Sequence, residues 1–170
     1  MKLKTTEKGF TLIELLVALS IAAFVTAAAS MTIITMMRLS PQTNNWAIAL
    51  RQVQDAGYWI SRDVLMSDNV TPGTGDTFLT LTVPEWDSGL GKVVNKEIVY
   101  QFETLSGQRW LTRTHSTGGK TAIAQYISIP TPPIYNSDNR TLTFTIEATS
   151  VDKTVSRDYE SMQRVPTATP

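Results

Sequence analysis

An uncharged apolar run over residues 15–37 constrains this 170-residue chain more than any other feature of its sequence. As an α-helix rising about 1.5 Å per residue, the run is roughly 34 Å long, enough for a hydrocarbon core of about 30 Å. Lys2, Lys4 and Lys8 precede it, and of the basic residues only Arg38 follows closely. That bias predicts a cytoplasmic N-terminus, with the rest of the chain outside. Glu14 is out of place at the head of such a segment. A carboxylate is costly in lipid and usually implies a partner of opposite charge.

Two simple readings fit the run. It is a plain single-pass anchor, or it is a secretory signal peptide cut after Ala27-Ala28-Ala29, with Ser30 as the new first residue. Apolar character continuing through Met31, Ile33, Ile34, Met36 and Met37 argues against the signal peptide, and Glu14 argues against both. Composition removes other classes. Fifteen basic against fifteen acidic residues leave no net field to gather nucleic acid, and zero cysteines exclude disulfides, thiolate metal sites and thiol catalysis.

The run Lys8-Gly9-Phe10-Thr11-Leu12-Ile13-Glu14-Leu15-Leu16 closely resembles the processing signature of type IV pilins and of the related pseudopilins of type II secretion. The resemblance covers about the first 30 residues in detail. It implies that a membrane peptidase cuts between Gly9 and Phe10, that Phe10 is then N-methylated, and that Glu14 becomes the fifth residue of the mature chain. Each part has a physical rationale. Glycine lets a protease approach the backbone. Cleavage removes the three lysines and leaves the Phe10 amine as the cation nearest Glu14, so a pair between neighbouring subunits would act as a register pin, as a buried polar residue does in a coiled coil.

Downstream, Ser40-Pro41 reads as an N-cap and first helical residue, with a kink where the helix restarts. Trp46, Leu50, Val53, Gly57, Ile60 and Val64 then recur at spacings of four and three, an amphipathic stripe ending near Met66. Trp46 and Trp59 read as packing residues. Apolar alternation predicts strands over residues 78–83, 96–102, 109–114 and 141–148, and residues 151–165 read as a last, polar strand. Ser106-Gly107 marks a hairpin turn, and Gly73 to Asp76 and Gly118-Gly119 mark loops. Pro130, Pro132 and Pro133 break the middle, leaving residues 123–129 without a clear place, and residues 167–170 read as frayed. The expected fold is α+β and pilin-like: one long N-terminal helix on a mostly antiparallel sheet. Its expected parts are a leader at 1–9, a membrane and assembly half of the helix at 10–37, and an extracytoplasmic head at 38–170.

Chemistry elsewhere is thin. His115 is the only histidine, in a Thr/Ser/Gly loop with no acid positioned by sequence. Glu85 with Asp87, and Asp68 with Asp76, read as solvated loop charges, and the run Asn136 to Asn139 reads as a turn before it reads as a calcium ligand set. Gly89 to Lys92 lacks phosphate-loop spacing, and the sequons at Asn69 and Asn139 are weak signals beside a bacterial-type leader. No catalytic residue, cofactor or metal is expected. The resemblance implies as partners other pilin or pseudopilin subunits, the prepilin peptidase, inner-membrane lipid and the filament assembly platform, with no nucleic acid. The missing C-terminal cysteine pair and the methionine at position 31, where many major pilins have proline, favour a minor pilin or a pseudopilin. The stretch from Gln52 to Asp63 loosely resembles J-type pseudopilins and W-type minor pilins.

Overall fold

A computed structural model describes residues 9–128 and 131–164. The basic head with Lys2, Lys4 and Lys8, the break at Pro130 and the frayed end at 167–170 lie outside the described residues. The chain divides into two units, with the boundary between Gln42 and Thr43.

Helix α1 (Leu12–Met66) ends where the stripe predicts. The restart expected at Ser40-Pro41 does not occur, since α1 is a single helix with Pro41 inside it. An interior proline removes one hydrogen bond and crowds the carbonyl four residues back, at a cost of about 3 kcal/mol. No glycine lies between residues 10 and 56, and helical sequence on both sides carries α1 through the defect.

In the first unit every described residue is exposed. The apolar side chains of residues 12–37 therefore find no protein core within their own chain, as expected of a segment made for lipid or for other helices. Its hydroxyls are satisfied locally. Ser20, Thr26, Ser30, Thr32 and Thr35 each donate to the carbonyl four residues earlier, at 2.7 to 3.0 Å. Such bonds hide the polar group where water is absent.

The second unit contains two antiparallel sheets. The larger is a meander of β1 (Asn69–Pro72), β2 (Thr77–Asp87), β3 (Lys92–Leu105), β4 (Gln108–His115) and β5 (Gly119–Gln125), in that spatial order. The smaller orders β6 (Ile134–Asn136), β7 (Thr141–Ser150) and β8 (Lys153–Met162). Sequence alone suggested a single sheet. Tyr126, with φ of 60°, turns the chain from one sheet to the other, and an isolated bridge between Ile127 and Ala148 stitches them together. The residues left unplaced at 123–129 thus finish β5 and make this crossing, as far as Ser128.

Alternation explains which faces are buried. Leu79, Leu81 and Val83 of β2, Ile98, Tyr100 and Phe102 of β3, and Leu142, Phe144, Ile146 and Ala148 of β7 point into one core. Against them α1 presents Ala49, Val53, Ala56, Ile60 and Val64, with Gly57 buried beside them. Phe78 touches Phe102 at 5.4 Å and Phe144 at 6.2 Å, so the aromatic contacts cross from sheet to sheet. Trp46 departs from the expectation: it is half exposed, and Ala49 takes the buried place in that turn.

Polar contacts lock α1 to both sheets. Gln52 Oε1 accepts from the Gln125 amide at 2.7 Å, Ser161 bonds Ser61 at 2.7 Å, and the Tyr159 hydroxyl donates to the Val53 carbonyl at 2.9 Å.

Candidate functional site: the N-terminal segment and the head that follows it

Gly9 and Phe10 precede the first turn of α1, and Thr11 caps it. The Glu14 amide donates to Thr11 Oγ1 at 3.3 Å, while Glu14 Oε2 accepts from the Thr11 amide at 3.0 Å and from its hydroxyl at 2.9 Å. This is a reciprocal capping box, which satisfies amides that the first turn of a helix leaves unpaired. Its Thr-x-x-Glu signature is legible in the sequence. Glu14 therefore has a partner within its own chain as well as the charge partner expected from a neighbour.

Among the described residues nothing requires a glycine at position 9. A Cβ at that position would meet nothing within 4 Å among the described residues, and Gly9 is not among the glycines with positive φ. Phe10 beside it is 87% exposed. The fold itself therefore requires neither residue. Both are exposed and lie directly ahead of an apolar helix.

In the head, sequence reasoning missed a polar cluster at the joint of α1 with the larger sheet. Asp63 Oδ2 accepts from the Tyr100 hydroxyl and from Arg113 Nε, each at 2.6 Å. Arg113 also lies over the Trp59 ring, 5.5 Å from its centroid, with Arg62 at 5.2 Å. Burial raises the Tyr100 phenol far above its ordinary value, and Asp63 adds to that while Arg113 opposes it. Burial pulls the Arg113 guanidinium down, but Asp63 and Tyr100 together outweigh it and hold the group above its usual value. Burial also raises Tyr159.

These shifts set the response to alkali. Unfolded tyrosine loses its proton near pH 10, whereas Tyr100 in the folded chain keeps it, so above about pH 10 the native state binds more protons than the unfolded state. Stability is complete below that pH and falls as pH rises through the folded value. The urea midpoint of the detergent-solubilised chain is expected to drop between pH 8 and pH 11, and Tyr100→Phe to flatten the drop; equal slopes would contradict it.

His115 does have an acid. Its Nε2 lies 2.8 Å from Glu85 Oε1, while Nδ1 accepts from the Thr117 amide at 3.3 Å and lies 2.8 Å from Thr117 Oγ1. A backbone N–H aimed at Nδ1 requires a lone pair there, so the neutral ring carries its proton on Nε2 and donates it to Glu85. The histidine thus closes its own turn and ties β4 to β2 across β3. Asp87 pairs with Lys96 at 3.9 Å and Asp76 with Arg109 at 3.2 Å, so these loop acids are partnered. Asn136 Oδ1 accepts from the Asp138 amide at 2.9 Å, an Asx turn as the sequence suggested. Among the described residues no group of three His, Asp or Glu side chains could hold a metal ion.

By length and composition α1 is able to cross a membrane. No curated protein and no solved structure matches the chain. Residues 4–30 match the family model of the prokaryotic N-terminal methylation motif. With one exposed apolar helix leading into an α+β head, that match supports a type IV pilin-like, processed, membrane-anchored subunit.

Proposed function

We propose that the chain is a minor pilin or pseudopilin, a structural and non-catalytic subunit of a type IV pilus or type II secretion filament. The observation that carries this reading is the methylation motif over residues 4–30, which runs into a helix whose membrane half is exposed throughout. A prepilin peptidase cuts between Gly9 and Phe10 and Phe10 is methylated. The subunit waits in the inner membrane with its N-terminus in the cytoplasm and its head outside, and an assembly platform then adds it to the fibre. Until then the capping box holds the Glu14 carboxylate; in the fibre Glu14 faces the Phe10 amine of a neighbour. The alternative is an exported binding protein or adhesin released after Ala29.

Intact mass and N-terminal sequencing of the native protein separate the two. A chain beginning with N-methylphenylalanine at position 10 is expected; one beginning at Met1 or at Ser30 would overturn the proposal. Glu14→Ala is expected to be cut normally and to enter filaments poorly. Normal incorporation would remove the pairing argument.

A further inference from the structure

The hairpin of β2 and β3 outgrows its sheet. β1 covers β2 only at residues 79–82, and β4 covers β3 only at residues 98–105. Residues 83–87 and 92–96 therefore pair only with each other, as a two-stranded ribbon. Asp87 orders its end by accepting from the Gly89 and Leu90 amides at 2.9 and 3.1 Å through Oδ1, and from the Gly91 amide at 2.8 Å through its carbonyl. Glu85 roots the ribbon on His115 of β4. This well-ordered end exposes large apolar side chains. Trp86 is 68% exposed, Val93 opposite it is 58% exposed, and Leu90 in the turn is 63% exposed. Single exposed apolar residues need no explanation, but a cluster of three on an ordered projection marks a contact surface.

Position selects the occupant. Asp63 of α1 meets Tyr100, which pairs with Leu79, and the Asp68 amide just past the helix donates to the Thr82 carbonyl at 2.8 Å. β2 thus climbs in the direction of α1 and continues about 16 Å beyond Thr82, at roughly 3.3 Å per residue. The opposite end of this unit lies at Asn45, whose side chain donates to Asp152 at 3.5 Å in the turn between β7 and β8. That turn carries Val151, 84% exposed and held at φ of 57°, a strained setting for a β-branched residue, and Trp46 lies one residue beyond Asn45. Each end of the head therefore carries exposed apolar side chains.

We infer that the ribbon end of one copy docks on the Val151 end of the next copy. The inference rests on the filament reading in one respect: subunits anchored through the same N-terminal segment are oriented alike. Copies that follow one another along a polar fibre are related by a rotation and a rise along its axis, so their end contacts join two different patches and repeat without closing. Heads that stack along the direction of the C-terminal half of α1 bring the Trp86 end onto the Val151 end.

The chain has no cysteine, so Leu90→Cys and Val151→Cys give clean reporters. Full-length double variant, expressed in its own host and treated on intact cells with a short bis-maleimide, is expected to give a ladder of dimers, trimers and higher species. Either single variant is expected to give none. Adding Trp86→Ser should lower ladder yield about tenfold, as loss of an aromatic anchor does. Val93→Ser should lower it as well, which guards against a folding defect peculiar to one variant. Dimers from Leu90→Cys alone, or an adduct with another polypeptide in place of the ladder, would overturn the contact. Sedimented filaments carrying the chain without a ladder remove this contact and leave the filament reading intact. Absence of the chain from filaments, together with no ladder, removes both.

Discussion

Asp63→Ala is expected to lower the unfolding free energy of the detergent-solubilised chain by about 3–5 kcal/mol, read from urea titrations followed by tryptophan fluorescence. The carboxylate is 7% exposed and accepts two bonds of 2.6 Å through a single oxygen. Removing it leaves the Arg113 guanidinium, 19% exposed, without its counter-charge and strands the fully buried Tyr100 hydroxyl. The loss measures an uncompensated charge and an unmet donor, not the net worth of the cluster. Taking water from both ions is costly, so Asp63→Leu combined with Tyr100→Phe and Arg113→Met should recover most of the loss. A penalty for Asp63→Ala below about 1 kcal/mol would put the cluster in the class of water-screened surface pairs.

Gly57→Leu is expected to cost about 3 kcal/mol by overpacking. A Cβ at this position would overlap the Tyr159 ring, so the glycine is a notch in α1 that admits an aromatic side chain from β8. The ring has little freedom to retreat, because Phe144 stacks on it at 5.2 Å and its hydroxyl holds the Val53 carbonyl. Replacing a helical glycine gains up to about 1 kcal/mol of helix propensity, which the overlap exceeds. The same urea titration checks it, with Tyr159→Ala added: the second change should be less harmful in the Gly57→Leu background than alone, because it removes the ring that the leucine overlaps. Additive costs would show that notch and ring are independent.

Local pattern revealed most of the elements and little of what joins them. The spacing from Val53 to Val64 marked the helix face and its end at Met66, and alternation marked the four apolar strands. β1 and β6, of four and three residues, are too short to show a period. Splitting the strands into two sheets depends on Tyr126 and the turn it makes, which no hydrophobic pattern encodes. Trp46 was misplaced because helical spacing marks a face without saying where along the helix the sheets begin to cover it. The Asp63 cluster joins residues 37 and 50 positions apart, and Glu85 meets His115 across 30. Such partners become visible only when strand order is known. At the N-terminus the reverse holds, since the segment around Gly9, Phe10 and Glu14 is read almost wholly from adjacent residues.

The hydroxyls of Ser20, Thr26, Ser30, Thr32 and Thr35, each turned back on its own helix, leave residues 15–37 of α1 with an outer surface that asks nothing of its surroundings. Acyl chains and the flanks of sister helices are then nearly equivalent solvents for it. Transfer between them leaves every one of these bonds in place, so the difference in free energy comes down to packing contacts and the single carboxylate near the tip. On the proposed filament reading, a segment built this way suits repeated exchange between bilayer and fibre, with neither state a trap.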